Sequence, residues 1–171
     1  MPPVVCIVGS SNVGKTTLVA KLVSEFKQRG YRVATLKHSP QGFELDQAKK
    51  DSWRHVNAGS DAVVISSARQ LALLKSQDHD APLEELLDLI GEDFDIVLAE
   101  GFKKASAPKI EVYREGSKSG LVCPPEELIA VVSDLPVDAG IPRFSPEDIS
   151  PIADLIEESV VGRRSSAEDK A

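Results

Sequence analysis

The chain has 171 residues, a length that suits one domain with its own core. Hydrophobic residues make up 42% and charged residues 27%, which excludes the disordered, collagenous and coiled-coil classes. A formal net charge of -7, from 20 basic and 27 acidic side chains, speaks against a general nucleic-acid or anionic-membrane binder, because the surface as a whole repels polymers of phosphate.

Val4 to Val8 is an unbroken run of β-formers and predicts a strand buried on both faces of a parallel sheet. Gly9 ends it. Leu18, Val19, Leu22, Val23 and Phe26 then recur at helical spacing, with Gly30 where a C-terminal cap belongs. Tyr31 to Leu36 predicts a second strand and completes a βαβ unit with a right-handed crossover. Gln41 to Gly59 is polar and carries a thin apolar stripe of Leu45, Ala48, Ser52 and Val56, the pattern of a surface segment helical in its second half. Ala62 to Ser66 and Leu71 to Leu74 are short strand-like runs, either a hairpin or two adjacent strands.

Pro82 in a first turn, Glu84 and Glu85, then Leu83, Leu86, Leu87 and Ile90 closed by Gly91, predict a helix. Asp95 to Ala99 follows as a central strand, and Ile110 to Tyr113 and Leu128 to Val132 as further strands, the last two separated by a Gly- and Pro-containing loop over Lys118 to Pro125. The final helix is signalled by Ser150 as N-cap, Pro151 at the first helical position and Ile152, Leu155, Ile156 and Val160 along one face. Residues 1–162 therefore read as a single α/β domain, a three-layer sandwich with a mainly parallel sheet, and 163–171 as a polar tail expected to be disordered.

Gly9-Ser10-Ser11-Asn12-Val13-Gly14-Lys15-Thr16-Thr17 fits G-x-x-x-x-G-K-[ST] and lies between a predicted strand and a predicted helix, the context this phosphate-loop motif requires. The glycines allow successive backbone N–H groups to converge on a β-phosphate, and the helix N-terminus adds positive partial charge. Lys15 is expected to bridge β- and γ-phosphates, Thr16 to ligate Mg²⁺, and Thr17 to meet the α-phosphate. The acidic partner of such a metal belongs at the end of a neighbouring strand, where Glu100 follows Ile96 to Ala99; the alternative is that Glu100 pairs with Lys103 or Lys104.

Asp46 and Asp51, with Lys49, Lys50 and Arg54, form a charged cluster that suits a nucleotide-dependent switch or, equally, an exposed helix with i,i+3 and i,i+4 pairs. Asp46 is carried forward as a candidate metal ligand. His38 at a strand end is a candidate ligand contact or an ordinary loop residue, and Trp53 a partner anchor or a packing residue. Asp134, after Val131-Val132-Ser133, is placed to accept hydrogens from a guanine edge or to initiate the turn before Pro136.

Together, Gly9 to Thr17, Leu36-Lys37-His38, Phe43 to Asp46, Lys50-Asp51-Ser52 with Arg54, Ala58-Gly59, Glu100-Gly101-Phe102-Lys103 and Pro108 to Val112 resemble the molybdopterin-guanine dinucleotide biosynthesis adapter family, the MobB proteins. The resemblance implies a P-loop GTP-binding protein, usually dimeric, that works beside the molybdenum cofactor guanylyltransferase and hydrolyses GTP weakly at most. It further places Asp46, Asp51 and Arg54 near the nucleotide or a bound pterin, with Glu100, Lys103 and Lys109 around the same mouth. Family members often carry several histidines after the Lys-His pair, whereas this chain continues Ser39-Pro40-Gln41-Gly42, and no structural metal is expected.

No glutamine-bearing switch or arginine finger is evident, so unaided turnover should be slow. A P-loop small-molecule kinase and a non-catalytic nucleotide-holding scaffold are the competing readings. Cys6 and Cys123 have neither metal-site spacing nor disulfide density, Met1 to Val8 lacks a basic signal-peptide region, and no apolar run reaches membrane-spanning length. A cytoplasmic protein is expected.

Overall fold

The apolar run Val4–Val8 forms β1 at the centre of a six-stranded parallel sheet. The computed structural model describes residues 1–42, 51–115, 120–137 and 140–162. The other strands of this sheet are β2 (Val33–Lys37), β5 (Ile96–Glu100), β6 (Lys109–Val112), β7 (Leu128–Val132) and β8 (Arg143–Phe144), in the order β2-β5-β1-β6-β7-β8. Both neighbours of β1 are thus reached by crossovers, which makes the carboxyl edge beside β1 a topological switch point.

Three helices cover the two faces. On one face lie α1 (Lys15–Gln28) and α4 (Ile149–Ile156), whose Leu18, Leu22, Phe26, Ile152 and Ile156 pack on Val5, Ile7, Leu98, Ile110 and Val132. On the other lies α3 (Leu83–Ile90), whose Leu83 and Leu87 join Cys6, Val8, Val97, Ala99 and Val131. The period-2 alternation within β1 is therefore visible as two separate cores, although every residue of Val5–Val8 is buried. Arg29, at the C-terminal cap of α1, ties the helix pair together through Glu25, Asp154 and Glu157.

The chain divides into two compact units, 1–38 with 82–171, and 39–81. The second unit contains α2 (Asp51–Asn57), with no buried residue, and the antiparallel hairpin of β3 (Ala62–Ser66) and β4 (Leu71–Lys75). Of the two arrangements open for these runs, the hairpin is the one adopted. Ser67 closes its turn, with its N–H on the Gln70 carbonyl at 2.8 Å and its Oγ accepting from the Gln70 N–H at 3.0 Å.

Helix starts differ from the sequence expectation. Pro82 is the N-cap of α3 rather than its first residue. Helix α4 begins at Ile149, two residues earlier than a Ser150 cap implies, because Asp148 occupies the cap and its carboxylate accepts the Ser145 N–H at 2.8 Å. Pro151 is then the third helical residue, where the N–H it lacks would have had no intrahelical acceptor. Strand β8 and a 3₁₀ turn at Pro125–Glu127 were not foreseen, being two and three residues long.

Candidate functional site

Between β1 and α1 the chain makes the tight loop its sequence requires. Gly9 has φ 140°, Asn12 φ 62° and Gly14 φ 101°, all in the positive region that Gly and Asn tolerate best. Val13 is buried and anchors the loop to the core. A Cβ on Gly9 would stand 2.4 Å from the carbonyl oxygen of Val112, so the end of β6 presses directly on the loop and leaves no room for any other residue.

Gly14 is also the N-cap of α1, with neither a side-chain cap hydrogen bond nor an acidic residue in the first turn, so the helix's own sequence leaves its first N–H groups to an outside acceptor. The Lys15 ammonium donates to the carbonyls of Ser10 at 2.6 Å and Gly9 at 3.3 Å. Burial holds its pKa below the ordinary lysine value, Glu100 pulls it back up, and Lys103 and Lys37 add to the lowering.

Glu100 ends β5, the strand beside β1, and is nearly buried. The Thr16 hydroxyl donates to its carboxylate, lying 2.9 Å from Oε1 and 3.0 Å from Oε2. Neither Lys103 nor Lys104 is the ion-pair partner. That partner is Lys37, whose Nζ lies 3.3 Å from Glu100 Oε1 and 3.4 Å from Thr16 Oγ1. Lys37 is the residue opposite Glu100 in the β2–β5 register, which is how two strand ends distant in sequence deliver an acid and a base to one spot. Ser11, Asn12, Gly14, Lys15, Thr16, Lys37 and Glu100 line a single pocket of about 430 Å³.

A hydroxyl and a carboxylate this close are hard oxygen donors of the kind Mg²⁺ takes. Among the described residues no group of three or more His, Cys, Asp or Glu could hold a metal by itself. The donor set therefore fits an ion completed by phosphate oxygens and water rather than one caged by protein.

Asp134 follows β7 at the same sheet edge and is exposed, outside the residues lining the pocket. Its neighbour Ser133 is buried, with Oγ accepting the Leu135 N–H at 3.0 Å. His38 packs against Phe102 with the rings tilted by 40° and their centroids 5.3 Å apart, and its Cβ would lie 3.1 Å from a Cβ added at Gly101. Lys109 is not at the mouth: it is buried and paired with Glu127 at 2.7 Å. Asp46 lies outside the described residues, while Asp51 and Arg54 are exposed on α2 at 3.9 Å from each other.

This geometry is that of a P-loop fold, and the sequence agrees with it. Residues 4–134 match the family described as molybdopterin guanine dinucleotide synthesis protein B, MobB. The chain belongs to the MobB family. It is 34% identical over 160 residues to the molybdopterin-guanine dinucleotide biosynthesis adapter protein of Haemophilus influenzae, covering 91% of this chain and 88% of that one. It is 32% identical to the protein of the same description in Escherichia coli, covering 92% and 93%. Among solved structures, Bacillus subtilis MobB superposes with a TM-score of 0.74 at 27% identity, covering 92% of this chain and 98% of that one. As a MobB protein the chain acts in molybdopterin-guanine dinucleotide synthesis as an adapter.

The sequence alone placed Lys15, Thr16 and Glu100 together but not Lys37. Its only local signal was a basic residue closing a strand, and the meaning of that residue depends on the register with β5.

Proposed function

We propose that this MobB protein binds GTP with Mg²⁺ and presents it to the molybdenum cofactor guanylyltransferase, hydrolysing it slowly at most. The observation that carries the reading is the convergence of Lys15, Thr16, Lys37 and Glu100 on one pocket beside the uncapped N-terminus of α1. Backbone N–H groups of Gly9 to Thr17 would cradle the β-phosphate, and Lys15 would bridge to the γ-phosphate. Thr16 and Glu100 would hold Mg²⁺, with Asp46 a further candidate oxygen donor; the ion when bound neutralises charge between the β- and γ-phosphates.

Glu100 is the group able to orient an attacking water. The pocket-lining side chains include no glutamine and no arginine, and an arginine finger is worth about 10³ to 10⁵ in rate, so binding rather than turnover is the output. Asp134, two strands from β1 at the same edge, is the candidate guanine contact. The protein would work in the cytoplasm as a homodimer, with the exposed apolar residues of the hairpin supplying a surface for a second copy. Molybdopterin would bind close enough to couple with GTP.

Calorimetric titration with GTP, GDP and ATP in Mg²⁺, followed by co-precipitation of the guanylyltransferase, tests this. Preference for GTP and a nucleotide-dependent complex are expected. A preference for ATP with acceptor-dependent release of ADP would replace the adapter reading by a kinase. Lack of any nucleotide affinity would leave only a scaffold.

A further inference from the structure

Arg114 stands two residues beyond the end of β6, the strand whose Val112 carbonyl presses on the phosphate loop. Its guanidinium lies over Gly14: a Cβ built there would meet Nη2 at 3.6 Å, Cζ at 3.8 Å and Nε at 3.9 Å. Three atoms of a planar group at nearly one distance mean that its face, not its tip, covers the glycine. Arg114 is exposed and has no hydrogen bond or ion pair among the described residues. Five N–H donors in a rigid fork, with no carboxylate partner among the described residues, are available to an anion at the loop.

The side from which Arg114 approaches identifies the anion. Thr16, Lys37 and Glu100 gather toward β5 and β2, whereas Arg114 comes from β6, the other neighbour of β1. A metal held by Thr16 and Glu100 marks the β- and γ-phosphates, which leaves the Arg114 side to the α-phosphate and the nucleoside. We propose that Arg114 is a nucleotide-binding residue that clamps the α- and β-phosphates, and so serves nucleoside diphosphates and triphosphates alike. This rests on the nucleotide-binding reading above and adds a residue and a discrimination to it.

Arg114→Ala, Arg114→Lys and Lys15→Ala are compared with the wild type by titrating GDP and GTP in Mg²⁺, with thermal denaturation of the ligand-free proteins as the folding control. Arg114→Ala should weaken GDP and GTP by the same factor, about tenfold or more for a charge-assisted fork, with an unchanged ligand-free Tm. Arg114→Lys should recover only part of the loss, since an ammonium cannot fork. Wild-type affinity in Arg114→Ala, with Lys15→Ala still deficient, would overturn the assignment and leave the nucleotide site standing. Loss of GTP affinity alone would move the guanidinium to the γ-phosphate and refute the α/β placement. A wild type that binds neither nucleotide would remove the nucleotide-binding reading and this inference together.

Discussion

Gly9 and Gly14 are both loop glycines with positive φ, yet they answer to different neighbours. At Gly9 an added Cβ meets a strand carbonyl at 2.4 Å, and at Gly14 it meets a mobile-ended guanidinium at 3.6 Å. Gly9→Ala should therefore cost on the order of 3 kcal/mol by displacing β6, measured by urea denaturation. Gly14→Ala should cost about 1–2 kcal/mol for backbone strain alone. Equal losses would mean that φ, not the close approach, constrains Gly9. Glu100→Gln keeps the shape of the side chain but removes its charge beside Thr16 and Lys37. The fold should persist, while the gain in GTP affinity that Mg²⁺ confers falls about tenfold or more; an unchanged Mg²⁺ dependence would exclude Glu100 from the metal shell. The loop and Glu100 were legible because each is announced by contiguous residues, a glycine pattern and an apolar run ending in an acid. Lys37 and Arg114 were not, since nothing beside them in the chain says which strand end they will face.

Strand β6 shows how far periodicity reaches. Lys109 and Glu111 alternate with Ile110 and Val112, a pattern that reads as half-exposed, yet all four are buried. The segment ahead of β7 covers the polar face: the Glu111 carboxylate accepts the N–H groups of Val122 and Cys123 at 2.7 and 3.0 Å, and Lys109 pairs with Glu127. Satisfaction by a later segment is nonlocal, so a strand was predictable and its burial was not. Glu111→Ala would strand one buried and one part-buried donor, costing about 2–4 kcal/mol, with a matching drop in the urea midpoint; a change under about 1 kcal/mol would mean that water replaces the carboxylate.

In β1, burial pushes the Cys6 thiol up to about 11, with Lys109 acting against that rise. The unfolded thiol ionises near its ordinary value of 9.0. The folded state therefore holds the proton across pH 9 to 11 while the unfolded state releases it, so this contribution to stability is complete below pH 9 and is lost as pH rises through 11. Cys6→Ala should flatten the alkaline decline of the urea midpoint, and an identical slope in both proteins would contradict the buried neutral thiol.

At the scale of the molecule, acidity and anion binding coexist because the cations are few and local: Lys15, Lys37 and Arg114 come from α1, β2 and the end of β6 to one edge of a sheet in a chain of net charge -7. What the sheet does not use is the hairpin. Val64, Leu71 and Leu73 lie on one of its faces, since Val64 pairs with Leu73 and Ser66 with Leu71, and they are 60, 73 and 41% exposed. Three large apolar side chains gathered on one small face form a patch of the kind that protein contacts use, and their charge-free chemistry suits a second copy of the same face under twofold symmetry. Leu71→Glu would set two like charges near that axis in a dimer. Sedimentation equilibrium should then show the mass falling from two chains to one, with the circular-dichroism spectrum little changed because Leu71 is exposed in the single chain. A variant that still sediments as two chains would move the interface off the hairpin, and a wild type that sediments as one chain would refute the dimer.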